Sequence, residues 1–372
     1  MARIRGNHSF DRRLEFSCVV EAFMGKIWKR IALVMLVICL YSQILSGIVA
    51  TAQILDSFIV FVNPQRATYA LQFNQEIEFV NWTAPPIPHE QLGVCNRTRE
   101  IPFEDEGGPG GAVISMGYVL TMLVLIPFSM QNLEDSIASQ TVAFGLLLCA
   151  CAVFIGQFVE EGLRWDRVPA FGGSYSGMFG SIVFNYGFIV MIPSWVNEKR
   201  PDVSVNRTMW TSTVVATVIY VSVGVLGAMA YDSISGNFLR SLASHCNPTV
   251  TRISAFVFAS VCVGLSVPVF CIMVRYNLTV GMQCGEAMAY VLSTILPWLV
   301  SWLFYRGTAF EQVVSWSGQV NNGPVNFILP LVVSLVALET VCPCLPAPRR
   351  ERSAEESEEP APEEEEEEDL IF

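Results

Sequence analysis

The stretch "FNYGFIVMIPSWVNEKRPDVSV", Phe184 to Val205, decides how this chain is read. It closes an apolar run, yet Asn185, Tyr186 and Gly187 interrupt that run, and Pro193 interrupts it again. In a lipid interior every backbone N–H and C=O must find a partner, so an unwound stretch survives only where protein or a water-filled cavity receives it. Gly187 permits unusual backbone angles and close approach. Asn185 can donate and accept, and Pro193 removes one helical hydrogen bond. Two readings stay open at this level. The stretch is either a broken helix whose freed N–H groups suit a carboxylate and whose freed carbonyls suit a cation, or a proline-kinked span with Asn185 tied to a neighbouring helix.

Working outward, the chain has 372 residues, 52% hydrophobic and only 15% charged, with mean hydropathy +0.45. So few charges cannot cover a water-soluble surface of this size, and the apolar excess points to lipid. Taking about 20 residues as one crossing, the runs are 31–50, 113–130, 142–157, 178–196, 211–231, 253–274, 288–305 and 324–338. The expected fold is therefore an all-α, polytopic membrane helix bundle of about eight spans, with a broken helix at 178–196. No cleavable leader is expected, because the basic start has no apolar core until Ile31 and that core is span-length. The lipid bilayer is the first expected partner, and nothing in the sequence calls for nucleic acid.

The net charge of −12 belongs to a tail. Twelve of the 34 acidic residues lie from Glu351 onward, leaving 22 against 22 basic residues. A run of like charges with Pro and Ser cannot bury enough apolar area to fold. The expected organisation is a basic N-terminal segment at 1–30, a membrane domain at 31–341 with a long outer loop at 56–112, and a disordered acidic tail at 342–372. Basic clusters at Arg3–Arg30, Lys199–Arg207 and Arg349–Arg352 agree on one side for both termini, which the positive-inside rule assigns to the cytoplasm. The long loop then faces outward or into a lumen. Its sequons at Asn81 and Asn96 become glycosylation candidates. Those at Asn7, Asn206 and Asn277 fall on the cytoplasmic side and are expected to be inert.

Cys95 and Cys246 are the two cysteines of the outer loops, where a bridge or two free thiols are both compatible with the sequence. Cys342 and Cys344 follow the last span in a setting suited to palmitoylation. The tail ends "EEEDLIF", where Glu366 before Leu370 and Ile371 fits an acidic dileucine-type sorting pattern read by adaptors. A plain solvating tail is the alternative.

No Walker-type loop, His/Cys metal spacing or nucleophile elbow is present, so enzymatic chemistry is not expected. The spans are almost free of ionisable residues. Asp56 and the pair Glu160–Glu161 are read as solvated charges at span ends. Gly224, Gly227 and Ala228 are read as helix-packing positions. Pro268, Pro297 and Pro330 each interrupt a late span, and several kinked or discontinuous helices in one bundle are typical of secondary transporters.

Taken together, "IPSWVNEKRPDVSVNRTMW", "YVSVGVLGAMAY", "RISAFVFASVCVGLSVPVFCIMVRYNL", "LPWLVSWLFYRG" and "NNGPVNFILPLVV" resemble the amino acid/auxin permease family of the amino acid–polyamine–organocation superfamily. "IVATAQILDSFI" and "MGYVLTMLVLIPFSMQNLEDSI" resemble earlier spans of the same family. The resemblance implies an inverted repeat of five plus five helices, whose broken sixth helix corresponds to 178–196. It implies an amino-acid substrate held at Phe184, Asn185, Tyr186, Gly187 and Phe188. Gln53, Tyr220 and Ser266 are path-lining candidates, each with the alternative role of a helix-to-helix hydrogen bond. The first span resembles the family's third helix, so the chain matches helices three to ten without counterparts of the first two and the last. The implied activity is secondary, ion-coupled amino-acid transport of the symport type, with H+ or Na+ as coupling ion and no other cofactor. The alternative is a reduced, non-transporting homologue acting as a membrane sensor or scaffold. The plasma membrane and the endolysosomal or vacuolar membrane both suit such a protein.

Overall fold

A computed structural model describes residues 14–73, 77–83, 102–103, 112–168, 176–200, 202–231, 238–244, 247–305 and 316–341. It is a polytopic helical bundle. Among the described residues, seven helices are long and apolar enough to cross a membrane, and Met116–Ser129 is a shorter apolar eighth. In chain order we label α1 (Phe16–Met24), α2 (Lys26–Val62), α3 (Met116–Ser129), α4 (Ile137–Glu161), α5 (Ser176–Asn185), α6 (Ile192–Glu198), α7 (Val205–Ala230) and α8 (Phe238–Ala243). They are followed by α9 (Thr249–Gly281), α10 (Glu286–Phe304) and α11 (Val320–Leu338).

The span boundaries differ from expectation at α2. Its 37 residues extend well past Ala50 to Val62, about 55 Å at 1.5 Å per residue, far more than one bilayer requires. The connection to α3 accordingly starts after Val62 rather than at Asp56, and it is not structureless. Ala67–Phe73 (β1), Ile77–Thr83 (β2) and Ala112–Ser115 (β3) form an antiparallel sheet in the order β2-β1-β3. Tyr69 pairs with Asn81 and Ala70 with Ser115 in its two ladders. Such a sheet can sit beyond the lipid because its unpaired edge groups can meet water. Hence the chain carries a small sheet capping one end of its helical bundle, with α1 at the other end. We call these the sheet face and the α1 face.

Two apolar cores hold the bundle. The larger one joins Leu36, Leu40, Ile44 and Ile48 of α2 to Phe16 and Val20 of α1, Tyr118 of α3, Cys271 and Val274 of α9, Trp298 of α10 and Val325 of α11. The smaller one lies near the sheet face, where Phe154 and Phe158 of α4 pack on Tyr231, Leu242 of α8 and Phe256 of α9. Gly227 serves this second core, since a Cβ there would stand 2.8 Å from Phe238. Gly224 has nothing within 4 Å, so it does not share the packing role read from the sequence. Val214, Val218, Val221 and Val225 of α7 are exposed apolar residues, as a lipid-facing helix side requires.

The late prolines widen their helices rather than breaking them. Phe258–Val263 is a π-helical turn ahead of Pro268, Val291–Ile295 one ahead of Pro297, and Pro324–Ile328 one ahead of Pro330. A proline removes one N–H and crowds the preceding turn, and an i→i+5 turn makes room without unwinding the backbone.

Candidate functional site

Among the described residues, the span that does break is the one the polar interruption marks. α5 ends at Asn185, residues 186–188 are non-helical, and a 3-10 turn at Ile189–Met191 leads into α6. Pro193 stands in the first turn of α6, where its missing N–H is not needed. Within the break Phe188 N donates to Tyr186 O at 3.0 Å and Gly187 N to Phe184 O at 3.4 Å. Pro193 therefore starts a helix, and the discontinuity lies one to two turns upstream, at Gly187.

Side chains from two other helices answer the freed backbone. Gln43 of α2 donates through Nε2 to Phe184 O at 3.1 Å. Asn322 of α11 donates through Nδ2 to the same carbonyl at 3.4 Å. Asn326, one turn further along α11, accepts from Val190 N through Oδ1 at 3.3 Å. The two asparagines also bond to each other, Asn326 Nδ2 to Asn322 Oδ1 at 2.9 Å. The thiol of Cys39 donates to Asn322 Oδ1 at 2.7 Å. Beside them Ser317 donates its hydroxyl to Ser42. Asn322 and Asn326 are wholly buried. An amide can serve as donor and acceptor at once, which makes it suited to a broken backbone offering both a carbonyl and an N–H.

Gly187 is required by this packing. A Cβ there would lie 2.7 Å from Asn322 Oδ1 and 3.1 Å from Asn326 Nδ2. The π-helical turns Ser317–Asn322 and Pro324–Ile328 run along the stretch of α11 that faces the break. On the other side, Tyr186 shares a hydrogen bond with Thr217 of α7 at 2.8 Å and stacks edge-on against Tyr220, with ring centroids 5.7 Å apart.

Of the residues singled out from sequence, Phe184, Gly187 and Tyr220 are brought together at the break. Tyr186 joins them through its ring, and Phe188 carries the 3-10 turn. Asn185 ends α5 and is exposed, while the amides of Gln43, Asn322 and Asn326 grip the break. Gln53 lies elsewhere: buried near the sheet face, it donates to Tyr305 O at 2.9 Å, a helix-to-helix bond. Ser266 turns its hydroxyl back to Val263 O in its own helix at 2.6 Å. Asn81 is exposed on β2. Cys95, Cys246, Asn96, Cys342, Cys344, Glu366, Leu370 and Ile371 lie outside the described residues.

The reading of Asp56 as a solvated charge is corrected. Asp56 is wholly buried because α2 continues past it and α3 starts against it. Gly117 N donates to Asp56 Oδ1 at 2.8 Å, Thr68 Oγ1 to the same atom at 3.1 Å, and Tyr305 OH to Oδ2. The carboxylate thus faces the N-terminal end of α3, where partial positive charge favours an anion. Glu160 and Glu161 are exposed, as expected of solvated charges.

Over 228 residues the chain is 24% identical to vacuolar amino acid transporter 5 of Schizosaccharomyces pombe, an alignment that takes in 57% of this chain and 53% of that protein. The chain spans about half the length of the curated relative it matches. No family model and no solved structure matches it. The distant relative agrees with the permease-type resemblance carried by the residues quoted above.

Proposed function

We propose that this membrane protein moves amino acids across a bilayer as a secondary carrier, with the break at Tyr186–Phe188 as part of the substrate site. The observation that carries this reading is a helix interrupted inside the bundle and lined by Cys39, Gln43, Asn322 and Asn326. Interrupted helices expose backbone N–H and C=O groups that match the carboxylate and ammonium of a zwitterion. The substrate class is supported by the name of the yeast relative. That name also favours a vacuolar membrane, with both termini on the cytoplasmic side by the positive-inside rule. Coupling to H+ or Na+ completes the proposal, since a carrier needs a gradient to concentrate substrate.

The alternative is a non-transporting sensor or scaffold. It is favoured by one feature: Gln43, Asn322 and Asn326 already bond Phe184 O and Val190 N, groups that a substrate would otherwise use. Uptake of labelled amino acids into proteoliposomes holding the full chain separates the two. Under an imposed proton or sodium gradient, uptake that collapses with an ionophore is expected. Flat traces under both gradients would leave the sensor reading in place.

A further inference from the structure

We propose that Glu15 is a positioning residue for the half-helix beyond the break. It latches α6 to α1 and α9, and so holds the break shut toward the α1 face. The inference rests on the reading of that break as a substrate site.

Because residues 186–188 interrupt the backbone ladder, α6 is not held in line by α5. Its seven residues take their position from what they touch. Among what they touch is the start of α1. Ser194 donates its hydroxyl to Glu15 Oε2, and Asn197 Nδ2 donates to Glu15 Oε1 at 3.3 Å. Asn197 also clasps the backbone of Leu14 from both sides: Leu14 N donates to its Oδ1 at 3.3 Å, and its Nδ2 donates to Leu14 O at 3.2 Å. The same carboxylate reaches the far end of α9, where Asn277 Nδ2 donates to Glu15 Oε2 at 3.4 Å. Ser17 Oγ adds a bond to Asn277 Oδ1 at 3.5 Å, and Gly281 comes so close that a Cβ there would lie 2.5 Å from Ser17 Oγ. Glu15 is 1% exposed and Ser194 likewise 1%.

A carboxylate is a singular choice for this joint. Three side chains on two helices converge on its two oxygens, so one residue ties together elements that share no backbone connection. Hydrogen bonds of this kind can be replaced by bonds to water at a net cost of about 1.5–3 kcal/mol each where one partner is charged, whereas parting an apolar joint exposes surface that water disfavours. A joint built on Glu15, Ser194 and Asn197 can therefore open into an aqueous cavity and close again. The apolar contacts of α1 through Phe16 and Val20 stay in the main core and keep the latch base fixed.

Cys39 supplies a native reporter. It is buried at the break, 2.7 Å from Asn322 Oδ1, so water reaching the break reaches its thiol. The full chain, in inside-out and right-side-out vesicles, is treated with a membrane-impermeant maleimide, and modification of Cys39 is followed by peptide mass spectrometry. Glu15→Ala and the milder Ser194→Ala are compared with the unaltered chain. From the α1 face, Cys39 modification is expected to rise by roughly tenfold, the population shift that follows from losing one hydrogen bond to a charged group. From the sheet face it is expected to stay level or fall. Unchanged modification in both variants, or an equal rise from both faces, would overturn the latch, the second result marking general loosening. Ser194→Ala removes one donor with little loss of volume, which keeps the test open if Glu15→Ala fails to fold. Labelling needs no substrate. Absent uptake with the expected labelling would overturn the carrier reading and leave the latch standing; gradient-driven uptake with unchanged labelling would overturn the latch alone.

Discussion

Asn326 Oδ1 accepts the backbone N–H of Val190 at 3.3 Å, supplying from α11 a bond that the interrupted helix cannot make for itself. Beside it, Asn322 gives its N–H to Phe184 O on the other side of the gap. A pair of asparagines four residues apart therefore spans the break, one on each lip. They lie on the same side of their own helix, as an i, i+4 spacing dictates. This pairing explains how a polar gap persists within an apolar bundle and which side chains control its width.

Replacing Asn326 with Leu keeps the volume but removes the acceptor. Val190 N is then buried without a partner, which costs about 1–3 kcal/mol. We expect a lower melting temperature in detergent and lost uptake, while Asn326→Gln recovers part of both. Equal melting temperatures for the Leu variant and the unaltered chain would show that the bond to Val190 carries no weight.

Gly187→Ala tests the closeness of the break to α11. The added carbon would stand 2.7 Å from Asn322 Oδ1 and 3.0 Å from its Cγ, so either the asparagine or the break must shift. Overpacking of this sort costs about 1–3 kcal/mol. Asn322→Ala removes both crowded atoms, so the double variant should lose less than the sum of the two single losses, by 0.5 kcal/mol or more on a scale of roughly 0.5–3. Strict additivity in thermal unfolding would contradict the contact.

How much of this was legible in the sequence follows from the range of the interactions. The spans were, because lipid demands long uninterrupted apolar runs. The place of the interruption was too, because Asn185, Tyr186 and Gly187 violate that demand locally, though a broken helix and a kinked span both fitted it. The residues that answer the break were not, since Gln43, Asn322 and Asn326 lie 141, 138 and 136 positions from the groups they bind. The segment "NNGPVNF" did hold a usable signal: two amides one helical turn apart in an apolar span have to meet something polar. Asp56 was misread for a different reason. The hydropathy run fades before it, yet the helix continues to Val62 and the sheet folds back over it. The strands themselves are short and lie in a polar loop, where no lipid constraint sharpens their pattern.

Asp56 should therefore behave as a structural anchor. Asp56→Asn exchanges an oxygen acceptor for a donor that faces the hydroxyls of Thr68 and Tyr305 or the N–H of Gly117. Each buried donor left without its acceptor costs about 1–3 kcal/mol, so folded yield should fall steeply. Tyr305→Phe removes a single bond and should cost about 1.5–3 kcal/mol. In whatever Asp56→Asn protein survives, the substrate concentration for half-maximal uptake should be unchanged, because Asp56 lies at the sheet face and the break lies within the bundle. A large shift in that concentration would place Asp56 in the transport path instead.

Two sequons on opposite faces provide a test of sidedness. Asn81 is exposed on β2 and its side chain is open to an incoming enzyme, whereas Asn277 is 1% exposed and spends its amide on Glu15 and Met273 O. Glycan transfer requires an accessible asparagine on the lumenal side of the membrane. In a chain already carrying Asn96→Gln, Asn81→Gln is expected to abolish the remaining glycosidase-sensitive mobility shift on gels, and Asn277→Gln to leave it untouched. Modification at Asn277 would contradict both the burial of that residue and the assignment of the α1 face to the cytoplasm. A chain unmodified at Asn81 when made in a glycosylating cell would withdraw this support for a lumenal sheet face.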